Sequence, residues 1–181
     1  MERSFRVLPL AALAGVAMMA SFIATGCADP THDQAVAALG GEASGVPVGP
    51  LHRPDQPCVT CHGDVGPGSP EFSVAGTVYE LFREDTPAVG ATVLIEDVTG
   101  RTFSATTNAA GNFYVRRADW VPTYPTQMKV TLGTVSKKMT THVGRAGSCA
   151  DCHHRDPSQT SPGHVYLATN LSGLAGTGAP P

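Results

Sequence analysis

Charge and aromatic character are both scarce in this chain. Of 181 residues, 15% are charged and 6% aromatic, with a single tryptophan. Few aromatics leave a core to be built mainly from aliphatic side chains. With 12 Lys+Arg against 15 Asp+Glu the net charge is −3, so the basic footprint of a nucleic-acid binder is missing. No helical periodicity of any length is visible between residues 72 and 133. A nucleophile–base set and a substrate-cleft signature are also missing, so no enzyme is expected. The length fits one domain of ordinary size.

What is present begins at the N-terminus. Arg3 and Arg6 precede a nearly continuous apolar run, Val7 to Phe22, and then ATGC at 24 to 27. Positive charge, apolar run and small residues in that order read as an export signal. The competing reading is a membrane anchor, for which the run is short and contains Pro9. Ala24, Thr25 and Gly26 before Cys27 resemble a bacterial lipobox, with Ala24 where an aliphatic residue is usual. The resemblance implies lipidation of Cys27 and anchoring in a membrane. Ala28, rather than Asp, follows that Cys, which implies the outer membrane in a Gram-negative cell envelope.

Without Cys27, four cysteines remain, and all lie in two runs: CVTCH at 58 to 62 and CADCH at 149 to 153. In an oxidising compartment spare thiols would pair, so Cys58, Cys61, Cys149 and Cys152 need an assignment. Covalent haem uses both thiols as thioethers and the His as an iron ligand. A structural zinc site is the second reading, although zinc knuckles usually lie roughly 15–20 residues apart. Disulfides or a thioredoxin-like pair are the third, but no βαβ pattern accompanies them. The His after each second Cys separates these readings. With 7 His in 181 residues, accidental placement at both positions is about a one-in-700 event, which favours haem.

CVTCHG and CADCHH resemble the attachment sites of c-type cytochromes, particularly small multihaem proteins. The resemblance implies two covalently attached haem c groups (iron). Cys58 and Cys61 would hold the first, with His62 proximal; Cys149, Cys152 and His153 would hold the second. In such proteins a His upstream of the motif often supplies the sixth ligand. That makes His52 and His142 the first candidates here. His154, next to His153, could reach a neighbouring haem. His164 is a further candidate, with Met139 and Met128 weaker ones. His32 is expected to be solvated.

Between the motifs the pattern changes to strands. FSVAGTVYELF (72–82), ATVLIEDV (91–98), RTFSATTN (101–108), GNFYV (111–115) and QMKVTL (127–132) are short, apolar or alternating, and separated by turn residues. HVYLA (164–168) can close the set. Phe72, Val74, Val78 and Phe82 are expected to share one face. Trp120 reads as a packing residue. This region, GTVYELFREDTPAVGATVLIEDVTGRTFSATTNAAGNFYV, resembles the carboxypeptidase regulatory-like domain. The resemblance implies a transthyretin-like β-sandwich over about 72–133, without catalytic residues, whose ends could lie together.

The expected whole is therefore all-β: a signal (1–27), a flexible tether (28–50) with at most a turn of helix at AVAAL, a haem-flanked β-sandwich domain (51–170), and a disordered tail (171–181). Its expected function is electron transfer between redox partner proteins or other cytochromes. Asp64, Asp151 and Asp156 would add an acidic patch for a basic partner. The alternatives are a β-sandwich lipoprotein with structural zinc or disulfides, and a haem sensor or peroxidase-like enzyme with an open iron.

Overall fold

The structure, a computed structural model, describes residues 29–42 and 44–175. The expected signal, the lipidation site Cys27 and the last six residues of the expected tail lie outside them. Among the described residues no helix is long and apolar enough to cross a membrane.

Seven strands make the fold all-β: β1 (Phe72–Leu81), β2 (Thr92–Asp97), β3 (Thr102–Thr106), β4 (Asn112–Arg116), β5 (Thr126–Leu132), β6 (Val135–Lys138) and β7 (Val165–Ala168). They form two sheets, ordered β4-β1-β7 and β3-β2-β5-β6. β1 runs antiparallel to β4 and parallel to β7. The four-stranded sheet is antiparallel throughout. The core lies between the sheets: Val74, Val78, Phe113, Val115 and Leu167 meet Val93, Ile95, Ala105, Met128 and Val130. It is largely aliphatic, as the scarcity of aromatics requires.

The two-residue period explains most of this. β2 buries Val93, Ile95 and Asp97 and exposes Thr92 and Glu96. β3 turns Phe103 and Ala105 inward, and Phe103 stacks with Trp120 at 5.7 Å, so Trp120 is a packing residue. β1 departs from the simple alternation. Nearly all of it is buried because it is covered on both faces, and its register shifts between Phe72 and Val74. That irregularity puts Phe72 off the Val74/Val78 face, and Phe82 falls beyond the strand end.

Two elements appear that the sequence pattern did not single out. β6 is a polar, half-exposed hairpin partner of β5. Helix α1 (Pro30–Ala38) replaces the single turn expected at AVAAL. Asp29 caps it, accepting from the Thr31 and His32 N–H groups at 3.1 Å, and Pro30 opens its first turn. Leu171–Leu174 form a 3₁₀ turn.

Candidate haem attachment sites

The first motif is itself a short helix, α2 (Cys58–His62), which packs against β1 and beside α1. It borders a cavity of about 610 Å³, of the size that takes cofactors. Cys58, Cys61, His62 and His52 all line it, together with Val36 and Leu39 of α1 and Phe72, Ala75, Phe113 and Tyr114 of the β4-β1 pair. The His52 and His62 ring centroids are 5.9 Å apart, with the rings inclined by 63°.

The two Nδ1 atoms have different surroundings. His62 Nδ1 is 2.8 Å from the Pro70 carbonyl, which directs Nε2 away from the loop. His52 Nδ1 is a buried nitrogen with no aligned hydrogen-bond partner, but Glu42 Oε1 lies 3.2 Å away. Arg53 Nε donates to that same oxygen at 2.9 Å. This salt bridge holds the Glu42 carboxyl below its ordinary range against the opposing effect of burial, with a lesser contribution from the nearby His52. The loop after His62 closes tightly on the motif. A Cβ at Gly66 would meet the Cys61 carbonyl, and one at Gly68 would sit 2.8 Å from His62 Nδ1. Only glycine lets the backbone approach this closely. An apolar cavity lined by Cys58, Cys61 and two imidazoles, and this cradle, fit a haem at the first motif.

His62 also begins a column of rings. It stacks on Phe72 at 4.3 Å, and Phe72 stacks on Tyr114 at 4.7 Å. Tyr114 is 41% exposed, so the column ends at the surface.

The second motif opens with a 3₁₀ turn, Cys149–Asp151, and the His153 N–H donates to the Cys149 carbonyl at 2.8 Å. His153 Nδ1 lies 3.0 Å from the Gly163 carbonyl, again leaving Nε2 on the other side. Burial lowers the His153 pKa, favouring the neutral ring that coordinates metal. Cys149 is pressed against Gly76, where a Cβ would come within 2.5 Å of its Sγ. Burial pushes the Cys149 thiol up to about 12 and the Cys58 thiol up to about 11. Reactive redox thiols are shifted the other way.

β1 joins the motifs. Ala75 lines the first cavity, and its neighbour Gly76 takes Cys149. The Ala75 N–H donates to the Gly147 carbonyl at 2.9 Å, and the Val59 N–H donates to Ser148 Oγ at 2.8 Å. Two runs that are 91 residues apart in sequence, Cys58 to Cys149, thus meet on one strand.

The remaining candidates are spread more widely. His142 is exposed. His154 is exposed, with Nε2 3.2 Å from the Asp151 carbonyl. His164 is 1% exposed, stacks on Tyr79 at 4.4 Å, and has Nε2 3.1 Å from both the Arg83 N–H and the Leu81 carbonyl. It is a core histidine. Met128 is buried and Met139 packs against the same core. His32 is not solvated as expected: it is half-buried, with Nε2 buried and unpartnered. The cause is α1, whose period puts His32 on the face of Val36 and Leu39.

All four motif cysteines are unpaired, and among the described residues no three His, Cys, Asp or Glu side chains converge as a metal cage. Compared with family models, curated proteins and solved structures, the chain matches none.

Proposed function

We propose that the protein is an exported dihaem c-type cytochrome that passes electrons between redox partners, anchored to the outer membrane through lipid on Cys27. The observation that carries this reading is the cavity where Cys58, Cys61, His62 and His52 meet, with both imidazoles facing inward. A bound haem supplies a one-electron carrier at each motif. Cys58 and Cys61 would hold the first and Cys149 and Cys152 the second, with His62 and His153 as proximal ligands. A thioether sulfur carries no charge, which suits the half-buried positions of Cys58 and Cys149.

The sixth ligands are assigned from the lining of the first cavity and from which Nε2 atoms are already engaged elsewhere. His52 is assigned to the first haem, with His32 next because it lies on the cavity face of α1. His142 is assigned to the second, because His154 and His164 already use Nε2. The chain's own part is to fix ring orientation through Pro70, Gly163 and Glu42 and to exclude water from the first site with α1. The two-sheet body is read as a transthyretin-like, carboxypeptidase regulatory-like sandwich whose role is to hold the motifs together. A zinc lipoprotein is disfavoured by the scattered ligands, and a redox dithiol by the raised thiol pKa values.

The test is an optical spectrum of protein matured with haem, oxidised and reduced, with a pyridine haemochrome count. Two haems per chain, both low-spin, are expected. His52→Ala should turn one of them high-spin, whereas His164→Gln should leave the spectrum unchanged. A high-spin component in the wild type would favour an open-haem sensor or enzyme. A colourless protein would sink the reading.

A further inference from the structure

Each of the three imidazoles proposed as haem ligands has an oxygen near Nδ1, and these oxygens are not alike. His62 and His153 face neutral carbonyls, those of Pro70 and Gly163. His52 faces a carboxylate, Glu42, at 3.2 Å. A carbonyl orients the ring, whereas an anion also makes it a stronger electron donor at Nε2. Negative charge beside an axial ligand stabilises ferric over ferrous iron and so lowers the reduction potential.

Glu42 is held for this purpose by Arg53, whose Nε takes Oε1 at 2.9 Å. The remaining Arg53 donors are spent elsewhere. Nη1 reaches the Leu39 carbonyl at 3.2 Å and Gln56 Oε1 at 2.9 Å, and Nη2 reaches the Gly40 carbonyl. The ion pair is formally neutral overall, and its negative member is the one that stands 3.2 Å from His52 Nδ1. The same clamp ties the end of α1 to the loop that carries His52.

We propose that Glu42 is a positioning residue that orients His52 through Nδ1 and makes the first haem the lower-potential member of the pair. This deepens the dihaem reading and rests on it. The chain then has a direction: an electron delivered at the first site runs downhill to the second.

The test is a spectroelectrochemical titration of the full, haem-matured chain. The wild type should show two one-electron waves. Glu42→Gln keeps an acceptor for Arg53 and His52 but removes the charge. It should move the lower wave upward by about tenfold in the reduction equilibrium, ~59 mV for one electron, with two low-spin haems retained. Arg53→Gln removes the counter-charge and should move the same wave downward. If neither wave moves, or the higher one does, the inference is overturned while the dihaem reading stands. If both variants move the lower wave upward, a loosened clamp is the cause and the inference is likewise overturned. A wild type without haem overturns both.

Discussion

Asp97 is a carboxylate buried at the end of β2, 3% exposed. Burial alone would raise its pKa. Six donor contacts reverse that: Thr99 N–H and hydroxyl, Arg101 N–H, Nε and Nη2, and Thr123 N–H, at 2.5 to 3.2 Å. The carboxyl is held well below the usual carboxylate range. Because the folded pKa is depressed, the resulting stability is complete above the unfolded value, about 3.9, and is lost as pH falls through the folded one. Acid unfolding should therefore set in below about pH 4, and Asp97→Asn should blunt it while lowering the thermal midpoint at neutral pH by several degrees. Thermal melts of both proteins from pH 2 to 7 check this. The turn from Asp97 to Gly100 was legible in the sequence. The carboxylate's hub role was not, because Thr123 lies 26 residues away. Glu42 was missed for a similar reason: its partners His52 and Arg53 lie beyond a loop, and nothing in GGEASG marks a charge that will be used.

At the scale of elements, strands were easier to read than their covers. Alternation in β2 and β3 and the β-branched content of β5 mark buried faces directly. β6 was missed because VSKK is short and polar and is a strand only by pairing with β5. α1 was underestimated although Asp29-Pro30 is a cap followed by a first-turn proline, because its apolar face is narrow. Gly76 shows what strand patterning leaves out. In sequence it weakens a strand; in the structure it makes room for Cys149. Gly76→Ala would put a Cβ 2.5 Å from Cys149 Sγ and 3.1 Å from Phe113 Cε1, so the 3₁₀ turn must move. Overpacking of this kind costs ~1–3 kcal/mol. Gly144→Ala, which meets nothing within 4 Å, should melt like the wild type. Equal thermal midpoints for the two variants would contradict this placement of Cys149.

For the molecule as a whole, the question is how two distant motifs come to share a strand. The two Cys-x-x-Cys-His runs were plain in the sequence, and so was the presence of strands between them. Their meeting was expected only from the general habit of chain ends to lie together. The actual link, Ser148 Oγ to the Val59 N–H, joins residues 89 apart, a distance at which no local pattern survives. Ser148 is 4% exposed. Ser148→Ala would strand a half-buried donor, at a cost of ~1–3 kcal/mol. It should lower the thermal midpoint and speed hydrogen exchange at the Val59 amide; an unchanged exchange rate there would contradict the link.

Helix α1 bears on how the molecule would stand on a membrane. A slack leader of some twenty residues would let the body wander far from its anchor. Instead, Arg53 fastens the end of α1 beside the first site, and α1 begins at Pro30. Only Ala28 separates Cys27 from the capping Asp29, so with lipid on Cys27 the leash is two residues, about 7 Å fully stretched. The first site would then ride close above the lipid headgroups in a restricted set of orientations. Its partners would have to approach along the bilayer or from the side of Tyr114.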